Sequence, residues 1–457
     1  MRSPTELLGK IPGTWQYVNA KDNILLESGQ RPSDFVTDNP NDIPSLGGEN
    51  ISSDGFISLE NIRYISKDYF SRAKKGFLLK DDIIINKDGA NTGKVAFINN
   101  LPLNNCLINE HLFTIRNTGE FDQQFLFYFL LSRYGQRQIQ SRIIGSAQPG
   151  FGNGFIKGIY IPKPSISEQT AIASILSAVD NSILAAKETI KKAERLKKTL
   201  MQNLLTGKLK PNSTWRTEDE FYLHDKFGKL PKDWNVKKVK EFAIQVTDGE
   251  HVTPERSGKG FYLLSARNIK NGSLELADVD YVTEEVLVNI HKRCKPEEND
   301  LLISCSGTIG NVCRVPSNFT CGMVRSVAII KYNHNEINPL FFELLFQSTI
   351  LQRQIKISVS SAVQPNLFQN AINKLLVILP PLKEQKEISY KLESMVRLIS
   401  HKDFKLQKLE RLKKSLMQNL LTGKVRVNVE KILAITNSLN DSSLSGHEIQ
   451  NKELVGT

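Results

Sequence analysis

Long apolar runs are missing from this sequence of 457 residues. No stretch approaches the roughly 18 consecutive apolar residues that a membrane-spanning helix needs. The opening stretch, MRSPTELLGKIPGTW, also lacks the apolar centre of a secretory signal peptide. We therefore expect a cytoplasmic protein without a membrane partner.

Cysteine is scarce, and the few cysteines are not paired in sequence. The five are Cys106, Cys294, Cys305, Cys313 and Cys321. An odd number without a CxxC pair argues against a disulfide framework and against a zinc site. We expect reduced thiols that belong to hydrophobic cores.

Acidic residues are outnumbered by basic ones, 48 to 60, which gives a net charge of +12. This imbalance indicates a polyanionic partner, because basic side chains that neutralise phosphates release counterions and so favour association. The alternative is a generally basic surface without such a partner.

An internal repeat is the most informative feature that is present. ERLKKTLMQNLLTGK at 194–208 returns as ERLKKSLMQNLLTGK at 410–424, and 14 of the 15 positions are identical. The offset is 410 − 194 = 216, and Glu168-Gln and Glu384-Gln keep it. Pro12-x-x-Trp15 and Pro231-x-x-Trp234 match at an offset of 219. The chain is therefore interpreted as two copies of one unit.

The front part of each copy, about 150 residues, contains short β-type runs bounded by Gly, Asn and Asp. Examples are DDIIIN in the first copy and DLLISC in the second. One short helix is predicted to follow, from QQFLFYFLLSRYGQRQIQ and from PLFFELLFQSTILQRQI. This pattern predicts a compact α+β domain with a mixed β-sheet and short helices.

The back part of each copy has apolar residues spaced about 3.6 apart, the period of an α-helix. The two stripes run from Ile172 to Leu204 and from Ile388 to Leu420, and they include Leu196 and Leu412. Matching stripes most simply pack against each other as an antiparallel coiled coil, which would relate the two front domains by a pseudo-twofold axis. The alternative is that each helix packs only on its own front domain.

Capping signals mark the ends of these helices. Ser165-x-x-Glu168 matches a capping box, and Gly207 and Gly423 are suited to end a helix. We divide the chain into a first front domain at 10–166, a first long helix at 167–208, a linker at 209–229, a second front domain at 230–382, a second long helix at 383–424 and a polar tail at 425–457. The tail, from NSLNDSSLSG onward, has no periodicity and is predicted to be disordered.

Three elements occur in the same order in both copies: strand–GxxG–strand, Glu-Gln at the opening of a long helix, and LxxxLLTGK at its end. Because of these three elements, residues 10–427 resemble the specificity subunit of type I restriction–modification systems. The resemblance implies two target-recognition domains that each read half of a bipartite DNA site, and a coiled coil that sets the spacing. Its implied partners are double-stranded DNA, two methyltransferase (modification) subunits and restriction/translocase subunits.

Catalytic motifs are missing. The sequence has no N-P-P-[YF] tetrapeptide, with which an adenine methyltransferase holds its flipped base, and no nuclease carboxylate cluster. The stretch from Gly89 to Lys94 has one residue too few for a phosphate loop, and its counterpart from Gly307 to Asn311 lacks the lysine, so both are predicted to be turns. We expect a non-catalytic chain, with S-adenosylmethionine, ATP and Mg²⁺ on partner subunits.

Two rival interpretations remain. One is a fused restriction or methylation enzyme, which the missing motifs disfavour. The other is a structural coiled-coil scaffold without sequence-specific DNA binding.

Residues suited to DNA contact concentrate in equivalent loops. Arg and Lys pair with guanine, Asn and Gln with adenine, and hydroxyl groups with phosphates. The candidates are Lys87, Asn91, Thr92, Lys94, Arg142 and Gln148 in the first copy, and His251, Thr253, Arg267, Ser304, Ser306, Thr308, Asn311 and Gln364 in the second. The stretch TDGEHVTP around His251 also resembles a recurrent early loop of the family's recognition domains. The alternative for each candidate is a turn residue that satisfies backbone groups.

Basic residues of the repeated helix are candidates for partner binding: Arg195, Lys198, Arg411 and Lys414. A pair of identical partner subunits requires two equivalent surfaces, which an identical stretch would supply. The alternative is a solvated face of the coiled coil.

Overall fold

The structure is a computed structural model, and it describes residues 6, 9–31, 36–99, 105–145, 149–359, 365–432 and 434–435. The chain divides into two compact units, of which the first holds Met1–Lys187 and Lys405–Thr457 and the second holds Glu188–Phe404. Each unit thus contains one front domain, the beginning of one long helix and the end of the other.

Among its described residues, the first copy contains short strands, three short α-helices and one long α-helix. Its strands are β1 Gln16–Asn19, β2 Ile24–Ser28, β3 Val36–Thr37, β4 Ile43–Leu46, β5 Arg63–Ile65, β6 Ile83–Asn86, β7 Val95–Phe97, β8 Leu107–Ile108, β9 Leu112–Asn117 and β10 Tyr160–Lys163. Its α-helices are α1 Lys67–Arg72, α2 Gln123–Leu131, α3 Arg133–Gln140 and α4 Ile166–Leu204.

The second copy follows the same general order, with a hairpin added at its start, a further pair of short strands, and one further short helix before its last strand. Its strands are β11 Phe221–His224, β12 Gly228–Pro231, β13 Asn235–Lys238, β14 Ala243–Asp248, β15 Phe261–Leu264, β16 Ile269–Lys270, β17 Ser273–Leu274, β18 Asp280–Val282, β19 Leu301–Ser304, β20 Val312–Arg314, β21 Cys321–Met323, β22 Val327–Tyr332 and β23 Leu376–Leu379. Its α-helices are α5 Glu284–Arg293, α6 Pro339–Gln347, α7 Thr349–Val359, α8 Gln369–Lys374 and α9 Leu382–Leu420.

Both front domains are built on the same antiparallel four-stranded sheet. Its order is β2-β9-β6-β7 in the first domain and β14-β22-β19-β20 in the second. A second sheet contains one parallel pair in each domain, β4 with β8 and β15 with β21. The strands that open and close each domain also pair, β1 with β10 and β13 with β23. The predicted α+β class is confirmed.

The single short helix predicted in each front domain is wrong, because two helices occupy that stretch. Ser132 ends α2 with an extended backbone, and its hydroxyl group accepts a hydrogen bond from the Gly135 N–H at the start of α3. Serine is a preferred N-cap because its oxygen satisfies a free N–H of the first turn. Ser348 separates α6 from α7 at the corresponding position.

The two long helices run antiparallel in the first unit. Asp180 of α4 forms an ion pair of 2.6 Å with Lys413 of α9, and Lys187 lies 4.0 Å from Glu410. A later residue of α4 therefore meets an earlier residue of α9. In the second unit, Leu204 near the end of α4 packs in one core with Ile388 near the start of α9. This is again an antiparallel arrangement.

The end of each long helix packs on the front domain of the other copy. Leu420 of α9 lies in the core of the first front domain with Phe125, and Leu204 of α4 lies in the core of the second with Phe341. The alternative in which each helix packs only on its own domain is therefore wrong. Gly207 and Gly423 follow the helices with positive φ of 71° and 68°, as predicted for residues that end a helix.

A buried clamp holds the start of each long helix. Glu168 accepts hydrogen bonds from the Trp15 indole at 3.0 Å and from Arg426 at 2.6 Å. Glu384 is held in the same way by Trp234 at 3.0 Å and Arg216 at 2.7 Å. Only half of the predicted capping box forms, because the Glu168 side chain turns to these partners while its N–H donates to Ser165.

The predicted domain boundaries and buried positions differ from the structure in three places. Arg426, assigned above to the polar tail, belongs to the clamp on Glu168. The linker at 209–229 contains strand β11. Leu196 and Leu412 were predicted in the buried stripes but are 51% and 46% exposed. The segment NSLNDSSLSG lies outside the described residues, so its predicted disorder stays a prediction.

No helix in the described part of the chain is long and apolar enough to cross a membrane. All five cysteines are buried and unpaired, as predicted for thiols in hydrophobic cores.

Candidate nucleic-acid interface

A hairpin turn projects from the four-stranded sheet in each domain. It covers residues 87–94 between β6 and β7, and residues 305–311 between β19 and β20. A glutamine from a neighbouring helix fixes its base: Gln136 donates to the carbonyl groups of Gly93 and Leu130, both at 3.0 Å. Gln352 donates to Gly310 at 2.8 Å and to Phe346 at 2.7 Å. The phosphate-loop lookalike is therefore a strand-to-strand turn.

Glycine is required where these turns close. Gly93 and Gly310 have φ of 89° and 90°, a region that residues with a side chain rarely adopt. A Cβ atom at Gly93 would lie 3.0 Å from Gln140 Nε2, and one at Gly310 would lie 3.0 Å from Gln352 Oε1. The shared glycines therefore have a structural reason.

Most candidates in the first hairpin satisfy backbone groups. Asn91 donates to the Gly48 carbonyl at 3.0 Å, and Thr92 donates to the carbonyl groups of Gly89 and Pro149. Lys87 contacts the Ser28 hydroxyl at 3.2 Å and lies over the Phe113 ring. Lys94 is half-buried, and its side chain has no hydrogen-bond partner among the described residues. Lys94 is thus the hairpin residue most available to a ligand.

In the second hairpin, too, candidate side chains satisfy backbone groups. Ser304 is fully buried, and its hydroxyl group donates to the Thr308 carbonyl and accepts from the Asn311 N–H. Asn311 donates to the Ile269 carbonyl at 3.2 Å. Ser306 is half-buried and Thr308 is exposed, so these two residues present polar groups at the tip of the turn.

Arg142 has a structural position. Its guanidinium group donates to the Gly158 carbonyl at 3.3 Å, and its Nε atom is buried without a partner among the described residues. A Cβ atom at Gly158 would lie only 1.9 Å from Arg142 Nη2. Gln148 and Gln364 lie outside the described residues.

The Asp248 carboxylate in the TDGEH loop of the second domain contacts one arginine and one histidine side chain. Asp248 accepts a hydrogen bond of 2.9 Å from Arg293 at the end of α5, and His251 Nε2 lies 2.9 Å from its other oxygen. Gln369 of α8 donates to the same carboxylate at 2.9 Å. Burial opposes ionisation of Asp248, but the hydrogen bonds from Arg293 and His251 outweigh it and lower the pKa of the carboxyl group. Arg293 and His251 are therefore held in place while they remain partly exposed.

The first domain has a comparable cluster made from different chain positions. His111 Nδ1 lies 2.5 Å from Asp88, and Arg31 Nε lies 3.2 Å from Glu110. His111 Nε2 lies 3.4 Å from the same Glu110 oxygen. We call the arginines of these two groups the braced cations: Arg31 in the first domain, beside His111, and Arg293 in the second, beside His251.

The braced cations stand beside the hairpins. In the first domain, the Lys87 N–H donates to the His111 carbonyl at 2.9 Å. In the second, residues 367–369 connect the two: the Leu367 N–H donates to the Cys305 carbonyl at the start of the hairpin at 2.9 Å, and Gln369 donates to Asp248 at 2.9 Å. Several loops from distant parts of the sequence thus meet at one edge of each sheet. Such an edge offers donors for base edges and cations for phosphates.

Two remaining candidates lie in the second domain. Thr253 is exposed. Arg267 is exposed too, and it forms ion pairs with Asp280 at 3.1 Å and Asp278 at 3.5 Å. Its charge is therefore largely compensated within the domain.

Comparison with known proteins agrees with this arrangement of two similar domains. The family model described as "Type I restriction modification DNA specificity domain" matches residues 12–195 and 231–411. The chain belongs to this specificity-domain family. The resemblance drawn from the motifs is thereby confirmed.

Relatives of the specificity-domain family cover nearly the whole chain. The type I restriction enzyme MjaVIII specificity subunit of Methanocaldococcus jannaschii is 24% identical over 92% of this chain and 94% of its own length. The EcoBI specificity subunit of Escherichia coli is 22% identical over 51% of each chain.

Solved structures of the family share the fold. The S subunit of a type I restriction–modification system from M. genitalium has a TM-score of 0.55 at 17% identity, with 90% of this chain and 96% of that chain covered. A chain solved in work on complex assembly and conformational transition of the type I R-M system has a TM-score of 0.54 at 15% identity, with 91% and 100% covered.

The predicted partner-binding residues of this family member lie on its long helices. Arg195 and Lys198 are exposed on α4, and Arg411 and Lys414 are exposed on α9. Sequence reasoning missed Arg31, His111 and Arg293, because their neighbours at the loop edge come from distant chain positions. Among the described residues, no group of three His, Cys, Asp or Glu side chains is arranged to hold a metal ion.

Proposed function

We propose that this chain is the DNA-recognition subunit of a type I restriction–modification complex, in which each front domain reads one half of a split DNA site. The observation that carries the proposal is the pair of loop edges, each with a hairpin tip and a braced cation, in a chain of the specificity-domain family. Held arginine and histidine side chains are suited to donate to guanine, and nearby lysines are suited to contact phosphates.

The two half-sites differ in sequence. In support of this, the first loop edge offers Arg31, His111 and Lys94, whereas the second offers Arg293, His251 and Thr308. The four-stranded sheets that carry these loops have matching strand orders, so the difference between the domains is concentrated in the side chains that face a ligand. An asymmetric, bipartite target follows.

The chemistry belongs to partner subunits. Two modification subunits methylate adenine with S-adenosylmethionine, and restriction subunits use ATP and Mg²⁺ for translocation and cleavage. The two long helices set the spacing between the half-sites and provide the docking surface for the modification subunits. In support, a structural relative comes from work on complex assembly of a type I R-M system, and the exposed residues Arg195 and Arg411 recur identically on the two helices.

The test is a genome-wide map of N6-methyladenine in cells with this gene intact and with it deleted. We expect one split motif to disappear on deletion. Replacing residues 10–166 by the corresponding domain of another family member should then change only one half of the motif. As the matched experiment, replacing residues 230–382 should change only the other half.

A motif that persists after deletion, with the modification subunit expressed, would contradict the proposal. An assembled complex that retains DNA without sequence preference would favour a coiled-coil scaffold instead. Methylation by this chain alone would favour a fused enzyme. DNA retention by the assembled complex should also fall steeply with salt, because phosphate contacts release counterions.

A further inference from the structure

A pocket of about 390 Å³ opens in the first unit between the helix pair and the corner where α2 meets α3. Ile183 of α4 and Met417 of α9 contribute apolar surface, and Ser132 and Tyr134 come from the corner. Lys414 stands among the lining residues with its side chain exposed. The volume falls in the range of about 300–1,000 Å³ that is common for ligand pockets.

The second unit contains a pocket of about 420 Å³ at the corresponding position, without a counterpart of Asp54 and Phe56, which also line the first. Its lining includes Ile399, Met201, Ser348, Ile350 and Lys198. Each of these positions is displaced by 216 residues from one named in the first pocket, for example 414 − 198 = 216. The duplication has therefore placed a pocket with several equivalent lining residues at the same position in each unit.

Folding alone does not account for the identity of the repeated helix ends. Over residues 194–208 and 410–424 the exposed side chains are identical as well as the buried ones, as Lys198 and Lys414 show, except at the exposed pair Thr199 and Ser415. Upstream on the same helices the identical pairs are mainly core positions, such as Ile172 and Ile388, whereas most exposed positions differ. Lys192 and Lys408 are an exposed identical pair upstream, but a common ligand explains why identical exposed residues are concentrated beside the two pockets.

We propose that each pocket receives an apolar side chain from an acidic helical segment of a modification subunit, one copy per pocket. The inference rests on the proposed function, which calls for two modification subunits. The apolar lining suits an anchoring side chain on a helix, the usual way in which a helix enters a groove. Lys198 and Lys414 have no ion-pair partner in the described part of the chain, so they complement acidic residues that flank the anchor.

The two pockets differ in charge although several of their lining residues are equivalent. In the first, Lys413 is paired with the buried Asp180 at 2.6 Å. In the second, the equivalent Lys197 faces a helix with Val396 where the first has Asp180, and it has no ion-pair partner among the described residues. The first pocket is instead lined by Arg133, whose counterpart in the second is the uncharged Thr349, so among the described residues the two pockets place their unpaired cations at different positions.

The test is co-purification of the full-length chain with its modification subunit, with the stoichiometry read by native mass spectrometry. Lys198→Glu and Lys414→Glu should each leave one modification subunit, with a loss of at least about tenfold in affinity at the altered pocket. The double variant should retain none. Lys192→Glu and Lys405→Glu make the same charge change on other faces of the two helices and should leave two subunits bound.

A second measurement identifies the occupant directly. A photo-crosslinking amino acid in place of Gln202 or Gln418, which line the two pockets, should label the same peptide of the modification subunit from both positions. Labelling of this chain's own C-terminal residues or of a second copy of the chain would overturn the inference, and so would two bound subunits in the double variant. If a split methylation motif persists in that case, the proposed function stands although the pocket assignment has failed.

Discussion

At the residue scale, the braced cations are the groups most suited to sequence readout. A free arginine loses much conformational freedom when it binds a base, whereas Arg293 is already held by Asp248 at 2.9 Å. Pre-organisation of this kind lowers the entropy cost of binding. The planar guanidinium group also allows a bidentate contact with guanine, which a lysine cannot make.

Replacing Arg293 by lysine should therefore relax recognition at one base of the second half-site. The expected loss of discrimination is about 1–3 kcal/mol, the usual value of one bidentate contact. Methylation of a library of randomised sites by the assembled complex would measure it.

Asp248→Asn should produce a smaller loss of discrimination at the same base, because it weakens the contact that holds Arg293 but keeps the arginine itself. Arg397→Lys provides the matched control, since Arg397 forms an ion pair with Glu393 on α9 outside the front domains. If base discrimination fell in the first half-site instead, or did not fall at any base, Arg293 would not be a residue that reads DNA.

The roles of individual residues were harder to predict from the sequence than the fold. Asn91, Thr92 and Asn311 have the side chains that suit base contacts, yet the structure uses them to satisfy carbonyl groups. Both uses draw on the same residue types, so type alone cannot separate them. His111 and Asp88 come together only through the sheet register, which is not visible in local sequence.

At the scale of elements, the clamp on each long helix joins the segment after one helix to the start of the other. Arg426 follows α9 and holds Glu168, and Arg216 follows α4 and holds Glu384. The Glu168 side chain is 5% exposed, so removal of its cation leaves a buried carboxylate with only the Trp15 indole as its described side-chain partner. Loss of a charged partner from a buried group is destabilising.

Ending the chain after residue 424 should destabilise the first unit by about 1–2 kcal/mol, the lower part of the range for charge-assisted hydrogen bonds because Arg426 is half exposed. Hydrogen exchange of peptides from residues 105–145 would measure the effect. Ending the chain after residue 435 keeps Arg426 and should leave exchange unchanged. Equal protection in both truncated chains would contradict the role assigned to this segment.

Periodicity predicted the long helices well but not every buried position on them. The 3.6-residue stripe includes Leu196, whereas the structure buries Leu204 and Leu205 and leaves Leu196 exposed. The stripe assumes one partner along the whole helix. In fact the end of α4 packs on the front domain of the other copy, and this contact turns the buried face toward different positions.

At the scale of the whole molecule, the thiols are sealed inside the two units. Burial raises the pKa of Cys106, Cys294, Cys305 and Cys321 to about 12 each, and it raises the pKa of Cys313 as well. Because a raised pKa keeps the thiol protonated, the reactive thiolate is scarce at pH 8. These cysteines are therefore chemically inert in the native chain.

A thiol reagent such as DTNB should accordingly label none of the five cysteines within minutes at pH 8 in the native chain. It should label all five in denaturant, where the pKa values return to about 8.5. Mass spectrometry of the labelled peptides would identify any exception. Rapid native labelling of one cysteine would show that its part of the core opens locally.

The glutamine that fixes each hairpin from outside has a consequence for how this molecule can evolve. Gln136 and Gln352 hold the base of turns that differ by one residue in length, 87–94 and 305–311. Because the anchor belongs to a helix and not to the turn, insertions and substitutions at the tip leave the core untouched. Under the proposed function, a lineage could therefore acquire a new target sequence by small local changes in one copy, while the other copy and the two long helices stay unchanged.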